Sequence, residues 1–227
     1  MNVIDILPVA LLGAILGLDV VTFPQAMISR PIVAATVAGA FVGSALAGLT
    51  IGATLELLAL GMLPFGASKY PEWGSASVVG GVLYASQLGD PSGALAASLL
   101  AALLTAVVSG WSMIKLRRLN ASRAAKVRSF LDAGNADAIT GLQLFGLTGD
   151  LIRGGLVTFA GMLVFKPLVP GIVTVWHSNT MYSRALVTAL AAAIAVAAVW
   201  KIFHLIPHAR ILFLAGLAVG ISLIIAR

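Results

Sequence analysis

"PIVAATVAGAFVGSALAGLTIGATLELLALGML", residues 31–63, runs for 33 residues with one charge, Glu56. As a single straight helix it would reach about 50 Å at about 1.5 Å per residue. A bilayer core of about 30 Å cannot hold that length upright. The stretch is therefore expected either to break into two shorter elements near Gly43 to Gly48, or to tilt strongly and protrude. Either way it marks irregular backbone at membrane depth, which persists only where protein or a water-filled cavity covers it. Broken helices of this kind often form transporter binding sites.

The rest of the chain agrees with a membrane setting. Of its 227 residues 60% are hydrophobic and 10% charged, and the mean hydropathy is +1.05, far above a soluble domain. The stretches 92–114, 139–165, 185–200 and 211–226 are similarly apolar, which suits helical spans of roughly 20 residues. A transmembrane barrel needs short alternating segments with a polar lumen face, whereas these runs are continuous and rich in Ala, Leu and Gly. The expected fold class is an all-α polytopic membrane protein with broken or re-entrant helical hairpins. The opening residues, with Asp5 early and no base before the apolar run, read as a first span, not as a removable signal.

The net charge of +6 is concentrated. Lys115, Arg117, Arg118, Arg123, Lys126 and Arg128 follow directly on a hydrophobic span. That is the pattern of a cytoplasmic segment under the positive-inside rule, in contact with lipid headgroups or an acidic soluble partner, and no nucleic-acid partner is expected. The chain accordingly divides into an N-terminal membrane half, 1–114, a basic cytoplasmic loop, 115–137, and a C-terminal membrane half, 138–227. The second half is plainer, with Arg153, Lys166, Arg184, Lys201 and Arg210 near expected span ends, so the functional residues are expected in the first.

Within that half, Ala40, Ser44, Gly48 and Gly52 recur at spacing four and end at Glu56, with a second pair at Gly39 and Gly43. Such spacing lets helices approach closely, which turns Glu56 toward a helix neighbour. If the segment spans, the carboxylate sits near mid-depth, where an intramembrane charge is a functional candidate by default. Its competing reading is structural, a hydrogen bond to a backbone break or an ion pair with Arg30. As an acceptor it suits sugar hydroxyls, and equally a cation or proton. A second interruption, "GLDVVTFPQAMISRP" at 17–31, gathers Asp19, Thr22, Gln25, Ser29 and Arg30 between prolines. It reads as a re-entrant or interfacial hairpin, or as a simple loop between spans.

Other candidates carry less. His204 and His208 in "HLIPH" have a metal-like spacing, but Pro207 interrupts the turn and Lys201 and Arg210 flank it, so an interfacial loop is expected. His177 follows Trp176 in an aromatic-belt position. Asp90-Pro91 reads as a turn, and Tyr70 and Trp73 as interface anchors unless a sugar ring stacks there. With no cysteine and no phosphate-binding glycine loop, nucleophile elbow or zinc-protease motif, the chain is expected to hold no cofactor or metal and to perform no bond chemistry itself.

The segments "ISRPIVAATVAGAFVG" (28–43) and "GLTIGATLELLALGMLPFGA" (48–67) resemble the membrane-embedded IIC subunit of the mannose/fructose/sorbose class of the bacterial phosphoenolpyruvate:sugar phosphotransferase system. The resemblance is specific over about residues 15–90, with "YPEWGSAS" (70–77) where many members have proline–aspartate followed by alanines. It implies an elevator-type transporter subunit of the bacterial inner membrane that binds and moves a hexose-type sugar with a IID membrane partner, likewise an oligomer. Soluble IIA and IIB proteins would relay the phosphate. By the same resemblance Glu56 would contact sugar hydroxyls, Gln25 and Asp19 would join it, and Glu72 would occupy the acidic position of the following loop. The alternatives are a proton- or cation-coupled secondary transporter and a non-transporting scaffold or receptor.

Overall fold

A computed structural model describes residues 3–60, 69–87, 89, 91–205 and 207–225. The end of the long run at Leu63, the following residues 64–68, the Asp90 turn and the side chains of Lys201 and His204 lie outside the described residues. Among those described, every regular element is helical. A 3-10 turn, Val3–Ile6, leads into α1 (Leu7–Leu18), followed by α2 (Pro31–Phe41), α3 (Ala45–Ala59), α4 (Trp73–Ala85), α5 (Ala94–Lys126), α6 (Arg128–Asp132), α7 (Ala136–Val175), α8 (Thr180–Leu205) and α9 (Ala209–Ile225).

The 31–63 run breaks where its glycines lie. Pro31 opens α2 at the position that needs no N–H donor. Gly43 turns the chain with φ +96°, a conformation that L side chains resist. Ser44 then caps α3 by accepting from the Ala47 N–H. At 11 and 15 residues the two limbs are about 16 and 22 Å long. Each is too short to cross, so they form an antiparallel hairpin. Its seam is backbone against backbone. A Cβ on Gly48 would lie 2.3 Å from the Ala35 carbonyl oxygen, and one on Gly39 2.6 Å from the Gly48 Cα. The small-residue spacing thus packs the hairpin against itself.

The hairpin also decides the depth of Glu56. Because the chain reverses at 42–44, Glu56 falls in the last turn of α3, level with the start of α2, and not midway along a span. The expected mid-depth position assumed one continuous crossing.

The centre of the molecule is α4. Of its 13 residues, 12 are buried, and it packs against α1, α2, α3, α5 and α7. Its glycines allow this crowding: a Cβ on Gly74 would lie 2.7 Å from the Leu16 carbonyl oxygen, and one on Gly81 2.7 Å from that of Ala35. Among the described residues, three helices are long and apolar enough to cross a membrane: α5, α7 and the Thr180–Trp200 part of α8. The segment expected as a basic loop at 115–137 is mostly helix. The bases from Lys115 to Lys126 extend α5 without interruption, because Arg, Lys, Leu and Ala favour helix and no Gly or Pro intervenes. Within 115–137, Val127 and the turn at 133–135 break the helix, and Asn135 caps α7.

Candidate functional site

Between α1 and α2 the chain runs through turns without a helix from Asp19 to Arg30, and one buried carboxylate organises them. Asp19, at the end of α1, accepts from the Ala26 N–H at 2.6 Å, the Ser29 N–H at 2.9 Å and the Ser29 hydroxyl at 2.8 Å. Two of these three donors are backbone N–H groups that no helix serves. Gln25 donates from Nε2 to the Val21 carbonyl at 2.7 Å. Gln25 and Met27 both hold positive φ, an unusual backbone for residues other than Gly.

At the end of this segment Arg30 caps α2 and pairs with Glu56 of α3. Glu56 also accepts from the Ile32 N–H at 3.3 Å, in the first turn of α2, where a negative charge complements the helix dipole. Arg30 and Glu56 therefore clamp the open end of the hairpin. Of the expectations for Glu56, this is the ion pair with Arg30. Asp19, Gln25, Ser29, Arg30 and Trp73 share a cavity of about 390 Å³ at this end, a size suited to a small ligand. Trp73 is 8% exposed, and its Nε1 is buried without a hydrogen-bond partner among the described residues. Trp73 is thus a buried wall of this cavity, which opens to the surface beside Gln25 and Met27.

Glu72 lies on the other side of Trp73, fully buried. It caps α4 by accepting from the Ser75 N–H at 3.1 Å and accepts from the Ser109 hydroxyl of α5 at 2.5 Å. Arg153 of α7 approaches to 3.9 Å. Arg153 itself donates to Asp150 at 2.8 Å, to the Ser109 hydroxyl at 2.8 Å and to the Ser112 hydroxyl at 3.3 Å, and Asp150 in turn accepts from Thr22. Arg153 thus serves as counter-charge to two buried carboxylates, Glu72 and Asp150, in a region where an unpaired charge is prohibitive. Close approach is again enabled by glycine: a Cβ on Gly110 would lie 2.3 Å from the Tyr70 carbonyl oxygen.

The structure thus brings Asp19 and Gln25 to one cavity, joins Glu56 to it through Arg30, and sets Glu72 in a buried polar network beside it. Asp150 and Arg153 were missed. Arg153 was expected at a span end, yet it is 7% exposed and Asp150 1% exposed within α7. An acid and a base three residues apart inside the apolar run 139–165 were the available signal, since charges there face the interior and pair. Among the described residues no group of three acids or histidines could hold a metal ion. His208 lies in the turn between α8 and α9.

The sequence matches the family model described as "PTS system sorbose-specific IIC component" over residues 3–226. A curated relative, the fructose permease IIC component of Bacillus subtilis (strain 168), is 25% identical over 185 residues, 77% of this chain and 65% of that protein. The chain therefore spans slightly less than two thirds of that relative's length. A solved structure described as a membrane protein superposes with a TM-score of 0.76 at 21% identity, covering 100% of this chain and 94% of that one. The structure of the mannose transporter ManYZ with microcin E492 superposes with a TM-score of 0.62 at 20% identity, covering 97% of this chain and 87% of that one. These two likenesses concern the fold. The family match runs from the first helix to the last, and the chain belongs to the sorbose-specific IIC component family of the phosphotransferase system.

Proposed function

We propose that this chain is the sugar-binding, translocating IIC subunit of a phosphoenolpyruvate-dependent phosphotransferase system in a bacterial inner membrane. The observation that carries this reading is the cavity of about 390 Å³ at the open end of the α2–α3 hairpin. A sugar alternates hydroxyls with apolar C–H faces. The cavity offers an amide and a guanidinium from Gln25 and Arg30, hydroxyl chemistry from Ser29, and an indole wall from Trp73. Those groups match both parts of the ligand. Trp73 Nε1 is a donor in want of an acceptor, which a sugar oxygen would supply.

The roles divide by position. Gln25 and Arg30 address hydroxyls directly. Asp19 shapes the wall and has lone pairs left for one more donor. Glu56 aims Arg30 and takes a hydroxyl itself when the pair opens. Glu72 fixes the start of α4, and hence Trp73. The basic end of α5 faces the cytoplasm under the positive-inside rule. There a soluble IIB partner, charged by IIA, phosphorylates the delivered sugar and so traps it. A IID membrane chain completes the translocating complex, and movement is elevator-like, with the hairpin riding on a bundle that shifts against its neighbours.

The test is phosphorylation of a hexose panel by inverted vesicles carrying the protein with its membrane and soluble partners. Phosphoenolpyruvate-dependent phosphorylation is expected in wild type and is reduced about tenfold or more in Arg30→Gln and Glu56→Gln, the scale of a lost charged hydrogen bond. No phosphorylation of any hexose by wild type, with uptake driven by a proton gradient, would overturn it in favour of a cation-coupled carrier. Normal phosphorylation by Glu56→Gln would leave Glu56 a structural clamp only.

A further inference from the structure

Segment 19–25 has a second cavity behind it. Asp19, Val20 and Gln25 face the space just described, whereas Val21, Thr22 and Phe23 line a larger one of about 650 Å³ between the basic end of α5 and the first half of α7. Its polar wall comes from Arg117, Asn120 and Gln143, and its apolar wall from side chains such as Phe23, Leu116 and Leu147. Asp150 also borders it, but that carboxylate is engaged by Arg153 and Thr22. The charge left to act on an occupant is the Arg117 guanidinium. Among the described residues it is engaged only by Tyr70, through the hydroxyl and over the ring at 5.1 Å. That geometry fixes the guanidinium plane while leaving N–H donors to spare. Asn120 adds a buried Oδ1 with no hydrogen-bond partner among the described residues, an acceptor that calls for a donor.

A guanidinium with free donors selects an oxyanion, best a phosphate. An orphaned amide oxygen selects a hydroxyl. The apolar wall selects carbon between or beside them. We propose that this cavity binds a phosphate ester bearing free hydroxyls. Two sources share that chemistry: a sugar phosphate, the species that phosphorylation at this end of the protein would release, or the glycerophosphate headgroup of an anionic lipid. Only the first source rests on the function proposed above.

The experiment uses the full-length protein. In nanodiscs of phosphatidylcholine it is titrated calorimetrically with mannose 6-phosphate, fructose 1-phosphate and the two unphosphorylated hexoses. In mixed micelles of phosphatidylglycerol and phosphatidylcholine, retained lipid is read by native mass spectrometry. Arg117→Gln and Asn120→Leu are compared with wild type, together with Gln143→Leu, which alters an exposed residue and so spares the fold. Binding of either ester class to wild type, weakened about tenfold by Arg117→Gln and less by the other two, is expected. Soluble esters bound without lipid enrichment identify the product, and the reverse identifies the lipid. The proposal is overturned if neither class binds wild type, or if well-folded variants bind as wild type does. Wild type that binds esters but no free hexose counts against the sugar cavity alone.

Discussion

Replacing Arg153 by methionine removes the one cation that two buried carboxylates share. Glu72 is 0% exposed, Asp150 1% and Arg153 7%. The variant keeps the apolar stem but leaves both acids without a counter-charge. Breaking a buried pair from one side costs about 3–5 kcal/mol, or about two to three and a half decades in the unfolding constant. Asp150→Asn is milder, about 1–2 kcal/mol, because the amide oxygen still accepts from Arg153 and the serines of α5 remain. Adding Glu72→Gln to Arg153→Met removes one of the stranded charges and recovers about 1–3 kcal/mol. Unfolding in mixed micelles with increasing SDS, followed by the emission of the four tryptophans, gives all three differences. If Arg153→Met is no less stable than Asp150→Asn, or if the double variant is less stable than Arg153→Met alone, the shared-cation account is refuted.

Two hairpin glycines are expected to separate packing from backbone conformation. Gly48→Ala drives a methyl to 2.3 Å from the Ala35 carbonyl oxygen and loses about 1–3 kcal/mol through overpacking; Gly43→Ala meets nothing within 4 Å but sits at φ +96° and loses about 1 kcal/mol. Melting temperatures in one detergent rank them, and a smaller loss in Gly48→Ala than in Gly43→Ala would contradict the close seam. Asp19→Asn weakens the hub of the 19–30 turns, so proteinase K cleavage within residues 19–30 is expected to accelerate while the melting temperature moves little; unchanged cleavage would show the turns hold without the charge.

The sequence disclosed the fold more fully than the site. Length against bilayer thickness was enough to break the 31–63 run, and the glycines marked where, since only Gly takes the φ of the turn or admits the Ala35 carbonyl. Asp19, Gln25 and Arg30 stood out as polar residues in an apolar chain, and they share one cavity. What stayed hidden depended on distance along the chain. Nothing local says that Glu72 meets Ser109 and Arg153, and the inward turn of Arg153 was legible only by reading it together with Asp150, since a base taken alone in an apolar run is equally a span end. Helix through 115–126 was masked by topology reasoning, which reports which side of the membrane a basic segment occupies and not its conformation.

The burial of α4 bears on how the protein is made. At 13 residues it is about 20 Å long, too short to be taken up as a span on its own. Its surroundings include α7, which leaves the ribosome much later. Until then Glu72 has no Arg153 beside it, and a lone carboxylate among apolar helices is costly. The first half must therefore wait, with α4 incompletely packed, for the arrival of "DLIR" at 150–153. Assembly of the core is a late event in biosynthesis, and the boundary between the two halves, plain in the chain, is erased in the finished fold.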